Sequence, residues 1–162
     1  MKIWVFGLLS FLHDLFTAIW MGGLMVTVLS YIPALKEALG PGPQTKKVMI
    51  GFQKRQSTWV YISMGGLILT GLLMSRRNPA FDHLFSFAST YSTLLSIKHI
   101  LVILMIGTTL YRSLILSPTR AMATPRKEQL GFKLLILNFA LAIAVLLLSG
   151  LGASFANPFT GG

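Results

Sequence analysis

The sequence predicts an all-α integral membrane protein, an antiparallel up-and-down bundle of four transmembrane helices. Of its 162 residues, 54% are hydrophobic and 11% are charged, whereas soluble domains usually carry about 25% charged residues. Four apolar stretches each reach the roughly 20 residues that cross a bilayer. Short polar segments separate these stretches, which is typical of up-and-down bundles with short loops.

The predicted spans cover residues 3–35, 51–75, 91–116 and 130–155, and we refer to them as spans one to four. The first stretch is too long for a signal peptide and carries Asp14 in its apolar region, with no small-residue cleavage site after it. Gly40-Pro41-Gly42-Pro43 separates spans one and two, and Pro118 and Pro125 lie between spans three and four. We expect one domain, residues 1–162.

Basic residues are concentrated in two of the three loops. The loop between spans one and two contains Lys36, Lys46, Lys47, Lys54 and Arg55. The loop between spans three and four contains Arg120, Arg126, Lys127 and Lys133, with Arg112 near the end of span three. The positive-inside rule places these loops in the cytoplasm and both termini outside. We expect the inner (cell) membrane of a bacterium or archaeon. The net charge of +10 then reflects topology and contact with anionic lipid, and not nucleic-acid binding.

Two polar pairs interrupt the apolar spans: His13-Asp14 in span one and Lys98-His99 in span three. An ionisable residue in hydrocarbon is costly unless it is paired or lines a cavity. At 1.5 Å per residue, His13 lies about 15 Å and His99 about 12 Å from the outer ends of their spans. If these histidines face each other on parallel helices, Asp14 and Lys98 turn toward a common flank.

Two imidazoles at one depth predict the axial ligands of a haem b. The leading hypothesis is therefore a membrane b-type cytochrome that carries electrons near the outer face, with His13 and His99 as metal ligands. The other predicted cofactor-binding residues are Lys98, Arg76, Arg77, Trp20 and Gly66. Arg76 and Arg77 would receive propionates, or would anchor span two at the interface. A buried histidine can also hydrogen-bond within the bundle without a cofactor.

A short repeat occurs in the first two spans. Met21-Gly22-Gly23-Leu24-x-x-Thr27 is echoed by Met64-Gly65-Gly66-Leu67-x-x-Thr70. Paired glycines let helices approach each other closely, or clear room for a flat ring beside Gly66. The likeness stops after seven residues, so it does not indicate a duplication.

Copper transport or handling is the second hypothesis, and a cofactor-free anchor subunit with a structural Asp14–Lys98 contact is the third. The chain has no cysteine, so a soft metal would need His, Met or carboxylate ligands. Met21, Met25 and His83 are the alternative copper ligands, although methionine also fills apolar helices. No set of catalytic residues appears, which favours electron transfer or transport over an independent enzyme. Expected partners are the lipid bilayer and other redox or membrane subunits, and homo-oligomerisation is left open.

Several stretches, in order, resemble the copper resistance D (CopD) domain family. They are Leu12-His13 with residues 18–24, residues 69–74, residues 94–102, Tyr111-Arg112, and Leu148-Ser149-Gly150-Leu151 with Asn157-Pro158. The resemblance implies copper movement across the inner membrane, with a role for His13 and the nearby methionines. The family often has glutamate where this chain has Asn138, and an apolar residue where it has His99. The chain is more loosely similar to the HemJ membrane proteins of haem biosynthesis, which implies that such a bundle can accept haem.

Overall fold

A computed structural model of the chain describes residues 2–75, 90–116 and 124–156, and the regular structure among these residues is helical. The α-helices are Lys2–Thr17, Gly23–Val26, Ile32–Leu39, Pro43–Ser75, Thr90–Leu114 and Pro125–Ala156, and two π-helical segments, Ala18–Gly22 and Thr27–Tyr31, join the first three. Four stretches are long and apolar enough to cross a membrane: Ile3–Leu39, Pro43–Met74, Ser92–Leu114 and Pro125–Ser154. The predicted all-α class with four spans is confirmed.

The helices continue beyond the predicted apolar stretches into basic sequence. Span one reaches Leu39, span two begins at Pro43 and span four begins at Pro125. Hydropathy marks the part of a helix that crosses lipid, whereas backbone hydrogen bonding continues into polar residues. We call the end of the bundle that holds these extensions the basic end. Gly40 stops span one there, because its φ of 64° is a left-handed conformation that favours glycine.

The π-helical segments widen the middle of span one. Thr27–Tyr31 lies just before Pro33. Proline lacks an N–H, and its ring clashes with the carbonyl four residues earlier in an α-helix. A wider turn before Pro33 relieves that clash and lets the helix continue to Leu39. The segment Ala18–Gly22 includes the buried residues Trp20 and Met21, and π-helical turns are frequent at functional sites.

The surface of the bundle is apolar and several buried side chains are polar. Trp4, Leu69 and Leu147 are 85%, 61% and 62% exposed. The buried polar side chains are Thr27, Thr45, Ser63, Thr70, Ser96 and Asn138. Lipid accepts an apolar surface, whereas the helices must satisfy polar groups among themselves. The protein is therefore a multi-pass membrane protein whose outer surface contacts the bilayer.

Span one packs mainly against span two, and span three mainly against span four. In the first pair, His13 contacts Thr70 near one end, and Tyr31 stacks on Phe52 with ring centroids 3.8 Å apart near the other. These contacts run in opposite order along the two helices, as an antiparallel pair requires. The core cluster draws on all four spans and comprises Trp20, Met21, Leu24, Ile32, Met64, Met105, Leu135, Ala142 and Val145.

Candidate metal-binding site

His13 is held against span two through one ring nitrogen. Its Nδ1 lies 2.9 Å from Thr70 Oγ1, and the Thr70 hydroxyl donates to the carbonyl oxygen of Gly66 at 2.7 Å. Because a hydroxyl has one proton to give, it accepts its second hydrogen bond from Nδ1–H of His13. In the neutral ring, Nε2 then carries the lone pair with which histidine binds a metal.

His99 is also held through its Nδ1 atom, but by a hydrogen bond within its own helix. Its Nδ1 lies 2.7 Å from the carbonyl oxygen of Leu95. A carbonyl oxygen can accept a hydrogen bond but cannot donate one, so Nδ1 carries the proton and Nε2 of the neutral ring carries the lone pair. An N–H to oxygen bond of this kind commonly fixes the ring and tautomer of metal-binding histidines. Both His13 and His99 are half-buried.

The structure brings the two polar pairs into one electrostatic cluster. His13 interacts electrostatically with Lys98, Asp14 and His99, and Lys98 interacts with Asp14. Within the described ranges, the salt bridge is between Lys46 and Glu128, and Asp14 and Lys98 are not in direct contact. Lys98 lines a cavity of about 120 Å³ between spans three and four, opposite Ser149.

No group of three or more histidine or carboxylate side chains that could hold a metal occurs among residues 2–75, 90–116 and 124–156. Within these ranges, a metal held by His13 and His99 would therefore draw its remaining ligands from other side-chain types. Arg76, Arg77 and His83 lie outside the described residues. Met25 is half-buried in span one.

Gly66 and Trp20 both occupy packing positions. A Cβ atom at Gly66 would overlap the ring of Phe16 from span one, so an aromatic side chain of the protein lies against this glycine. That placement supports the helix-packing interpretation of the paired glycines. Trp20 is 2% exposed and belongs to the core cluster.

The two threonines that end the short repeat each accept a hydrogen bond from the opposite span. Gln56 Nε2 in span two donates to Thr27 Oγ1 at 2.8 Å and to the carbonyl oxygen of Gly23 at 3.0 Å. This matches the contact of His13 with Thr70. Gln56 precedes Thr70 by the same number of residues as His13 precedes Thr27. Extending the alignment of the repeats toward the N-terminus would have identified Gln56 from sequence.

Three buried methionines lie on the basic side of the histidines. Met21, Met64 and Met105 come from spans one, two and three, are 3%, 6% and 0% exposed, and belong to one core cluster. At 1.5 Å per residue, each is about 9 to 12 Å along its helix from the level of His13, Thr70 or His99. We call these three residues the methionine layer.

A larger cavity of about 1290 Å³ lies toward the basic end. Trp20 and Leu24 line it, together with the amides of Gln56 and Asn138. The Asn138 side chain is 4% exposed, and it accepts a hydrogen bond from Thr108 and donates one to Thr109, at 2.6 and 3.0 Å. This position, where the family often has glutamate, thus joins spans three and four. Neither His13 nor His99 lines either of the two cavities.

The family model for copper resistance protein D matches residues 50–152, well over half of the chain. The matched region includes Lys98, His99 and Asn138, and it begins after His13. No curated protein and no solved structure gave a match. The matched region begins inside span two and includes most of the last three spans. It agrees with the predicted resemblance over this part of the chain, and the chain belongs to the copper resistance protein D (CopD) family.

Proposed function

We propose that the protein handles copper within the membrane, with the copper ion as its substrate. The observation that carries this proposal is the state of the two histidines: each uses Nδ1–H in a hydrogen bond, which leaves Nε2 for a metal. Family membership supports the choice of copper. Imidazole suits copper among other transition metals, and the chain offers no thiolate.

The methionine layer supports a route for the ion beyond the histidines. Thioether sulfur is a soft ligand that suits Cu(I), and Met21, Met64 and Met105 present such atoms in the core from three different spans. In this proposal His13 and His99 receive copper at the end of the bundle opposite the basic loops. The methionine layer then offers it soft ligands deeper in the bundle.

Copper binding by the purified full-length chain tests this proposal. We expect His13→Ala and His99→Ala each to weaken Cu(I) affinity by at least about ten-fold, because each removes a nitrogen ligand. Competition with a chromophoric Cu(I) chelator measures the affinity. Unchanged affinity in both variants would contradict the proposal.

A conservative pair of variants separates the methionine layer from ordinary packing. Met105→Leu removes a thioether with little change in volume, and Met74→Leu makes the same change in a half-buried residue outside the core cluster. Such swaps usually cost less than about 1.5 kcal/mol. We expect Met105→Leu to reduce copper transport into vesicles while Met74→Leu does not. Equal rates of copper transport in the two variants would show that the methionine layer does not take part in transport.

Haem b is the second candidate, and the same histidine pair favours it. Two neutral imidazoles would give a six-coordinate iron suited to electron transfer. The oxidised and dithionite-reduced spectra of the purified protein decide between the candidates. A Soret band that is lost in His13→Ala and His99→Ala would establish the cytochrome, and a protein without such a band would exclude it. Other redox or membrane subunits, the inner-membrane location and the outward-facing termini belong to both proposals as predictions.

A further inference from the structure

The larger cavity has an excess of positive charge. All four spans contribute basic residues to its lining: Lys36 from span one, Lys46 and Lys54 from span two, Arg112 from span three and Lys127 from span four. Glu128 is the acidic residue among the lining residues, and it pairs with Lys46. Among the residues that the structure describes, no carboxylate pairs with the remaining cations, so the cavity favours an anion.

Arg112 is the most buried of the cations that line this cavity. It lies in the last turn of span three and is half-buried. Within the described ranges no acidic side chain pairs with it. A desolvated charge without a counter-ion is costly in a membrane protein, and the planar guanidinium fork matches a phosphate in shape as well as in charge.

Apolar side chains cover the part of the cavity nearest the core. Trp20, Leu24 and Leu135 line it and belong to the buried core cluster. A ligand that fills the whole cavity therefore needs an anionic group at one end and an apolar part at the other. Anionic lipids have this chemistry, and they concentrate at membrane surfaces where basic residues cluster.

We propose that the larger cavity binds the phosphate headgroup of an anionic lipid, with Arg112 as its principal contact and an acyl chain against Trp20 and Leu24. Lys54 and Lys127 add positive charge around the phosphate. This lipid site is separate from the histidines and does not depend on copper or haem binding there.

Trp20 provides a reporter inside the cavity. The chain has three tryptophans, so replacing Trp4 and Trp59 with phenylalanine leaves Trp20 as the source of tryptophan fluorescence. The full-length protein in neutral detergent micelles would be titrated with phosphatidylglycerol, phosphatidylcholine or inorganic phosphate. We expect a saturable change in Trp20 fluorescence with phosphatidylglycerol. The affinities for phosphatidylcholine and for inorganic phosphate should be lower by at least about ten-fold. Equal affinity for phosphatidylcholine or for inorganic phosphate would overturn the proposal.

Two arginine variants separate a specific site from general surface charge. Arg112→Gln should weaken phosphatidylglycerol binding by about ten-fold or more, because it removes the bidentate contact. Arg126→Gln removes the same charge from an exposed residue that does not line the cavity, and should cost no more than the roughly five-fold effect of one surface cation. Equal losses in the two variants would overturn the proposal.

Circular dichroism and gel filtration check that each variant folds. If Arg112→Gln does not fold, Lys54→Gln replaces it, because Lys54 is an exposed residue that lines the cavity. Its loss should weaken phosphatidylglycerol binding more than Arg126→Gln does, because Lys54 lines the cavity and Arg126 does not. Equal losses in Lys54→Gln and Arg126→Gln would then overturn the proposal.

Discussion

At the scale of single residues, Thr70 determines which nitrogen of His13 keeps its lone pair. Its hydroxyl proton is already given to Gly66 O at 2.7 Å, so it holds the imidazole by accepting from Nδ1–H. In the proposed copper site, the threonine would not touch the metal. It sets the tautomer and the direction of the ring, which are the properties that outer ligands of metal sites control.

Replacing Thr70 tests this control. Thr70→Val keeps the shape of the side chain but removes the acceptor, so Nδ1–H of His13 loses its partner. We expect Cu(I) affinity to fall by about 10- to 100-fold, while Thr70→Ser, which keeps the hydroxyl, retains most of it. Chelator competition with the purified protein measures both.

Thr27→Val is the matched control, because the Thr27 hydroxyl accepts a hydrogen bond from Gln56 as the Thr70 hydroxyl does from His13. It should lower the free energy of unfolding by about 1 to 3 kcal/mol, the cost of an unpaired buried polar group. Its copper affinity should remain that of the unchanged protein. If Thr27→Val and Thr70→Val lost copper affinity equally, the effect would be one of stability and not of ring orientation.

At the scale of helices, spans one and two approach each other at a glycine. Gly66 has no Cβ, and the ring of Phe16 occupies the space where one would lie. At the neighbouring Gly65, an added Cβ atom would have no other atom within 4 Å. One glycine of this pair therefore serves the contact between the helices, and the other does not.

Alanine substitutions at these two positions should have opposite effects on the stability of the protein. Gly66→Ala forces the ring of Phe16 to move, and such overpacking typically costs about 1 to 3 kcal/mol. Gly65→Ala meets nothing and should leave the thermal midpoint unchanged or slightly raised, because alanine favours the helix. Melting in detergent, followed by circular dichroism, compares them.

A second substitution checks the cause of the effect. Phe16→Leu in the Gly66→Ala background makes room for the new methyl group, and it should restore part of the lost stability. A Gly66→Ala protein as stable as the parent, or one that Phe16→Leu destabilises further, would contradict the packing proposed between these two residues.

The number of membrane spans could be predicted from the sequence, whereas the irregular turns of the helices and their rotation about their own axes could not. Four apolar stretches are sufficient to predict four spans. The π-helical turns of span one depend on how Pro33 is accommodated, which hydropathy does not report. The partner of His13 depends on rotation about the helix axis, and an apolar surface on every side leaves that rotation undetermined. The sequence shows Arg112 as a charge near the end of span three, whereas the cavity that it lines is formed by all four spans.

At the scale of the whole molecule, the charges are unevenly distributed along the membrane normal. The basic end contains Lys36, Lys46, Lys47, Lys54, Arg55, Arg112, Arg126, Lys127 and Lys133 against Glu37 and Glu128. Asymmetry of this kind sets the orientation of membrane proteins, with the basic loops retained in the cytoplasm. The prediction that Ile3 lies outside and Lys47 inside follows from this distribution.

Single cysteines test the orientation without further engineering, because the chain has none of its own. Intact cells would be treated with a membrane-impermeant maleimide. Ile3→Cys, an exposed residue, should be labelled directly, and Lys47→Cys only after permeabilisation. The reverse pattern would invert the topology. Labelling of both cysteines in denatured protein controls for expression and thiol reactivity.

The reciprocal hydrogen bonds between the first two spans have a mechanical consequence. His13 holds span two near one end of span one, and Gln56 holds span one in its second half. Axial sliding of either helix past the other would break both bonds together. The two bonds therefore hold the first helical hairpin together as one unit. If copper enters as proposed, we expect the bundle to open along the seam with the second hairpin, where the Tyr61 hydroxyl donates to Ser113 and Lys46 pairs with Glu128.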